Sequence, residues 1–176
     1  MAISFNSVGA GLYDGKIRTS DGNIYDIYAI VSASGSAAQD EVEVKGDDEV
    51  KATFVSNIKE ELTIEANGLS FDVIQAITGN SVSSSAGGLE VALGTDSQAS
   101  APFIEVKAYT RAKDSEGNSC IIEKIWHKVQ IKPPTITQEG EGEFKISMEG
   151  VAYQASVDII GGALATKRVS TLKTVY

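Results

Sequence analysis

Between Glu41 and Ala66 apolar and polar residues alternate with a period of two. Glu41-Val-Glu-Val-Lys45 sets acid against apolar, Gly46-Asp-Asp-Glu49 interrupts, and Val50, Ala52 and Phe54 then share one face. Leu62, Ile64 and Ala66 share another, with Glu61, Thr63 and Glu65 opposite. This period predicts strands buried on one side, because successive side chains leave a strand in opposite directions. At Gly68 the period changes. In Leu69-Ser-Phe-Asp-Val-Ile-Gln-Ala-Ile-Thr-Gly79, Phe71, Ile74 and Ile77 fall on one helical stripe, with Val73 beside them. Ser70 can cap the free N–H groups, Asp72 suits the positive helix end, and Gly79 supplies a left-handed stop. Leu69 and Ile74 are spaced as a hydrophobic staple. The stretch predicts a helix over residues 70–78 that packs through Phe71, Ile74 and Ile77. So short a helix needs an apolar surface beneath it.

Similar patterns run through the remainder of the chain. Leu12–Arg18 and Asn23–Val31 predict two strands joined at Ser20-Asp-Gly-Asn23, where Asp-Gly provides the positive φ of a tight hairpin. Residues 32–40 and 80–101, rich in Ser, Gly and Ala, predict two long loops, the second broken by a short apolar run at Leu89–Leu93. Pro102 opens a strand with Ile104, Val106 and Ala108 on one face and Glu105, Lys107, Tyr109 and Arg111 on the other. Ser119–Lys132 predicts a long strand in which Ile121, Ile125, Val129 and Ile131 face one way; Pro133-Pro134 ends it. Phe144, Ile146 and Met148 alternate with polar residues, and Val151, Tyr153, Ala155, Val157 and Ile159 are expected to complete the core. The whole predicts a mainly β protein, an antiparallel β-sandwich or barrel with one short flanking α-helix. A single domain is expected over residues 12–160, between a flexible arm at 1–11 and a basic tail at 161–176 that carries Lys167, Arg168 and Lys173 and no acid.

Charge and composition narrow the function. A net charge of −9 argues against an electrostatic grip on nucleic acid or anionic lipid. Met1-Ala-Ile-Ser-Phe-Asn-Ser-Val lacks the basic region and long apolar run of a signal peptide, and no apolar stretch reaches membrane-spanning length. A soluble protein made in the cytosol is therefore expected, with no membrane binding by the chain itself. Cys120 is the only cysteine, which excludes an internal disulfide and a multi-thiolate zinc site.

Catalytic chemistry finds little to stand on. His127 is the only histidine and has no recognisable nucleophile or carboxylate partner in the sequence, so a surface or interface position is expected. Cys120, beside Ile121 and Ile122, reads as a buried inert thiol. Asp47-Asp48-Glu49 and Asp114-Ser-Glu-Gly-Asn118 lack the spacing of a calcium loop and read as solvated turns. Gly9-Ala-Gly11 does not clearly join a strand to a helix, and Gly161-Gly162-Ala-Leu-Ala-Thr-Lys167 has Thr166 where a phosphate loop needs glycine. No enzyme, metal or cofactor is expected. The arm, the loops and the basic tail instead point to contacts between copies, the tail pairing with an acidic patch on the next one.

A strand pair, a long loop, acidic strands around Val-Lys-Gly-Asp-Asp-Glu49, a capped helix ending Ile-Thr-Gly79 and a second run of long strands resemble the major tail (tail tube) protein family of tailed bacteriophages. The resemblance spans roughly residues 12–160 and is strongest in Val42–Asn80 and Pro102–Val157. It implies a tail-tube-like β-sandwich with a flanking helix, assembled as hexameric rings that stack into a tube in the virion. Other tail proteins would be partners, and DNA would pass down the bore without specific binding. Under that reading Glu61, Thr63 and Glu65, or Glu105, Lys107 and Tyr109, are candidate lumen-facing residues, and Lys167, Arg168 and Lys173 candidate inter-ring contacts. An acid-rich bore suits a polyanion in transit, because each phosphate a protein neutralises adds affinity. The competing expectation is a different phage or surface β-sandwich, such as a capsid decoration or a glycan-binding adhesion module.

Overall fold

A computed structural model describes residues 10–46, 49–85, 87–91, 101–113, 116–139 and 143–175. Thirteen strands and one helix follow in the order β1 (Ala10–Arg18), β2 (Ile24–Asp26), β3 (Ile30–Gly46), β4 (Glu49–Ala66), α1 (Phe71–Thr78), β5 (Val82–Ser85), β6 (Gly88–Val91), β7 (Ile104–Lys113), β8 (Ser119–Ile131), β9 (Thr135–Glu139), β10 (Glu143–Tyr153), β11 (Ala155–Val157), β12 (Ala163–Arg168) and β13 (Ser170–Val175). Nine strands form one antiparallel sheet ordered β2-β1-β7-β8-β10-β4-β3, with β13 on β8 and β9 on β10. The pairs β5-β6 and β11-β12 stand apart from it.

The sheet rolls over its own apolar face without closing into a barrel. Trp126 on β8 lies against Gly35 on β3, although β10 and β4 stand between those strands in the sheet. A methyl group at Gly35 would come within 3.1 Å of the Trp126 indole nitrogen, so glycine is what permits this approach. At the other end a methyl at Gly15 on β1 would meet Ile30 Cδ1 at 2.7 Å. One apolar cluster fills the fold, including Ile17, Leu62, Ile64, Val106, Trp126, Val129, Ile131 and Met148, all at most 2% exposed.

Alternation placed most core residues correctly where the strands run without a break. Leu62, Ile64 and Ala66 on β4 and Ile104, Val106 and Ala108 on β7 are buried as their period predicts. β8 departs from the expectation. Ile104 pairs with Val129 but Val106 with Trp126, so β8 carries one extra residue across that step. The bulge turns Trp126 and Val129 both toward the core and leaves Ile125 on the opposite face, in register with Lys107. On β10 the core face is Ile146, Met148, Gly150 and Ala152, not the expected Val151 and Tyr153, and Val157 is likewise exposed. Gly150 hides the parity from a hydrophobic pattern: a side chain there would meet the Gln130 carbonyl at 2.7 Å, so the core position is filled by neighbouring backbone.

α1 has the predicted ends and a rotated face. The Val73 N–H donates to Ser70 Oγ at 3.3 Å, and Gly79, at φ 73°, donates its N–H to the Gln75 carbonyl at 2.8 Å. Val73, Ile74, Ala76 and Ile77 are buried, whereas Phe71 is 37% exposed. The buried arc centres on Val73 and Ile77, one turn apart, because the apolar surface lies on that side. Phe71 is therefore not a core anchor.

Three expected irregular segments are ordered elements. Residues 32–40 lie inside β3, where small residues at Ala33, Gly35 and Ala37 face β4 in register with Ile64, Leu62 and Glu60. Much of 80–91 forms the β5-β6 pair. Residues 163–175 form β12 and β13, and β13 joins the main sheet along β8 from Ser170 to Val175. The N-terminal arm up to residue 9, Asp47, Asp48 and residues 92–100, and the facing expected of Val50, Ala52, Phe54 and Phe144, lie outside the described residues and side chains.

Candidate functional site

The outward face of β1, β7, β8 and β13 is a cross-strand ladder of charges. Register places Arg18 beside Glu105, Tyr109 beside Glu123, and Glu123 beside Lys173. Arg18 Nη1 lies 3.5 Å from Glu105 Oε1, and Lys107 Nζ lies 3.6 Å from both Glu105 Oε1 and Glu123 Oε1. Lys173 Nζ reaches Glu123 Oε2 at 3.0 Å, and the Tyr109 hydroxyl donates to Glu123 Oε1 at 3.0 Å. Glu105 and Glu123 are only 2% and 5% exposed, because the long stems of their cationic neighbours cover them. Burial pushes the Glu123 carboxyl up, but hydrogen bonds from Lys173 and Tyr109 and the Lys107 charge outweigh it and hold its pKa below the ordinary value.

Several residues singled out in the sequence lie on this face. Glu105 is sealed among its partners and presents no free charge to a lumen, and Lys107 is committed to two carboxylates. Lys173, expected to reach a neighbouring ring, is paired with Glu123 of its own chain. His127 is 5% exposed, not a surface residue, with Nδ1 3.4 Å from Glu105 Oε2 and Nε2 2.6 Å from Thr171 Oγ1. That arrangement ties β7, β8 and β13 together and contains no nucleophile aimed at open space. Cys120 is buried, as expected.

Sequence reasoning missed Glu60. It shares the parity of Leu62 and Ile64 and so faces inward, which is the one signal that could have found it. Its carboxylate accepts from Trp126 Nε1 at 2.6 Å and from Ser170 Oγ at 2.8 Å, with Lys124 Nζ at 3.3 Å. Lys124 also stands 4.5 Å over the Trp126 ring. Burial raises the Glu60 pKa, and these partners together reverse the effect and lower it. Glu60 therefore joins β4, β8 and β13 at the rim of the core.

The outward face of β3 and β4 is different. Glu61 and Glu65 are exposed and Thr63 is half-buried. Their cross-strand neighbours on β3 are Ser36, Ser34 and Ser32, and only Ser32 Oγ reaches a carboxylate, donating to Glu65 Oε2 at 3.2 Å. No cation is paired with Glu61 or Glu65 among the described residues. This is an open, acid-bearing, small-residue surface.

A second exposed feature is a groove where β4, β8, β10 and β12 meet. Phe103 and Tyr153, 40% and 37% exposed, make an edge-to-face contact with ring centroids 5.9 Å apart. Lys128 Nζ sits 4.4 Å over the Phe103 ring, and Lys59 and Lys167 line the same groove of about 490 Å³. Arg168 instead turns back to the Thr166 carbonyl at 3.1 Å and to Thr171 Oγ1 at 3.3 Å. The three candidate tail cations are thus separated: Lys173 and Arg168 are engaged within the chain, and Lys167 forms no ion pair among the described residues.

Among the described residues no three His, Cys, Asp or Glu side chains converge as a metal site, and no helix is long and apolar enough to cross a membrane. No family model matches the chain, and no curated protein matches it significantly.

Proposed function

We propose that this chain is a structural subunit that assembles through its sheet edges into rings and tubes, as the tail tube proteins of tailed bacteriophages do. The observation that carries this reading is β3. Over seventeen residues it pairs with β4 on one side and with no other strand among the described residues. A long edge left unpaired is an aggregation hazard that proteins normally cover, twist away or complete with another chain. Completion around a ring removes the edge altogether. Among the described residues the far half of β3 and β4, from Asp40–Ser56 to Gly46–Glu49, pairs only with itself and extends past β10, whose ladder with β4 ends at Lys59. Such an extension is surface available to neighbouring copies.

In the assembled ring the face carrying Glu61, Thr63 and Glu65 lines the bore. Glu61 and Glu65 have no paired cation among the described residues, so these positions add no counterion-release affinity for phosphate and let DNA pass. The burial of Glu105 and its ion pairs favour the Glu61–Glu65 face over the Glu105–Lys107 face for that role.

Negative-stain electron microscopy of the concentrated protein tests the proposal. Rings or tubes of uniform bore are expected. A protein that stays monomeric at high concentration, or forms only irregular aggregates, overturns it.

A further inference from the structure

No side chain of β13 is buried. From Ser170 to Val175 every residue is exposed or half-buried, with Leu172 at 51% and Val175 at 40%. The apolar anchor of this segment is Val169, at the bend before the strand, whose carbonyl accepts from the His127 N–H at 3.4 Å. Among the described residues β13 pairs with β8 alone, along Ile121–Trp126, on the edge opposite β7. β10 takes the same edge at Val129–Ile131, but it buries Met148 and Ala152 and pairs with β4 on its other side. Fixing a strand costs conformational entropy, and ladder hydrogen bonds that replace bonds to water offset little of it. With no apolar burial of its own, β13 depends on its side-chain anchors.

Those anchors run to ionisable groups. Lys173 Nζ lies 3.0 Å from Glu123 Oε2, and Ser170 Oγ donates to Glu60 Oε1 at 2.8 Å. Thr171 Oγ1 lies 2.6 Å from His127 Nε2 and accepts from Arg168 Nη1 at 3.3 Å. Around Glu123, β7 presents Lys107 and Tyr109, with Arg111 next on that face. β1 adds Asp14, Lys16 and Arg18 beyond them; Arg18 stands beside Glu105, whose other oxygen faces His127. Around Glu60 stand Lys124 and the Trp126 indole. Burial raises the pKa of both carboxyls. Hydrogen bonds from Trp126 and Ser170 at Glu60, and from Lys173 and Tyr109 at Glu123, together with the Lys124 and Lys107 charges, hold both below the ordinary 4.5. Their anchoring is therefore complete above 4.5 and is lost as pH falls through the folded values. The core cluster is apolar and has no such dependence.

We propose that β13 is an acid-released strap, which leaves β8 as a unit about a hinge at Val169 while the sheet beneath it stays folded. Docked at neutral pH, it closes the β8 edge from Ile121 to Trp126; released, it uncovers that edge and the carboxyl groups of Glu60 and Glu123. Such an opening is local, because the strand that moves contributes little to the core. The inference concerns a single copy and stands apart from the ring-and-tube reading.

Hydrogen exchange of the dilute full chain, read by mass spectrometry and corrected for the intrinsic pH dependence of amide exchange, tests it. As pH falls from neutrality to below 4.5, the amides of β13 should lose at least about tenfold more protection than those of Leu62–Ala66 on β4, with the far-UV circular dichroism of the sheet retained. Two variants separate the anchors from acid itself. Lys173→Met combined with Ser170→Ala should show the same selective loss at neutral pH, whereas Lys173→Arg, which keeps the charge, should stay protected. The proposal is overturned if β13 keeps its protection until the whole sheet opens, or if the double variant exchanges like wild type. It is equally overturned if the double variant unfolds the entire sheet, since β13 would then belong to the core. A β13 that exchanges fast at every pH overturns the control by acid.

Discussion

Two faces of the same sheet carry similar alternation and reach opposite ends. On β7 and β8, Glu105 and Glu123 are buried among Arg18, Lys107, Lys173 and Tyr109. On β4, Glu61 and Glu65 stand exposed opposite serines. What differs is the neighbouring strand. Arg18 of β1 stands in register with Glu105 of β7, and Lys173 of β13 with Glu123 of β8, whereas the outer neighbour of β4 is β3, with Ser32, Ser34 and Ser36 at the facing positions. A charged face is thus locked or left open by its cross-strand partners, whatever the strand's own pattern.

The largest effect should come from removing the cation that two buried carboxylates share. Lys107→Met keeps the stem but takes one cation from each of Glu105 and Glu123, leaving Arg18 beside the first and Lys173 and Tyr109 beside the second, and about 2 kcal/mol of stability should be lost, read by urea denaturation. A loss within the range of ordinary surface changes would show that the ladder is solvated and not locked.

Acidification should act on the same face with a defined sign. Because the Glu123 pKa is lowered in the folded state, its contribution is complete above the unfolded value of 4.5 and disappears as pH falls through the folded one. Glu123→Gln should therefore be less stable than wild type near neutrality, and the two should converge under acid. Urea titrations across that range read the difference; parallel curves would mean that the carboxylate is not held by its partners. The smallest effect belongs to the open face. Glu61→Gln and Glu65→Gln should change stability by no more than about 0.5 kcal/mol. A larger loss in either would reveal a partner for these acids and weaken the proposal that they line a bore.

The sequence alone determined the helix, its ends and the strands whose alternation is marked, since period, capping and glycine stops are local properties of the chain; the strands built of small or polar residues at 32–40, 82–91 and 163–175 were not legible in it. Ser70 and Gly79 act as their residue types require. It also marked Leu62, Ile64, Val106 and Ala108 as core, because nothing interrupts their alternation. Tertiary structure alone decided which way several faces turn. One bulged residue in β8 exchanged Ile125 for Trp126, a glycine at 150 concealed the parity of β10, and the side on which the apolar surface lies put Val73 inside and left Phe71 out. The candidate site shows the same division. Glu61 and Glu65 were legible as outward acids, but the burial of Glu105 and His127, the docking of β13 and the convergence of Lys59, Lys128 and Lys167 were not. Those features depend on strands distant in sequence meeting in register, and register is fixed by the packing of the whole sheet, not by any one strand.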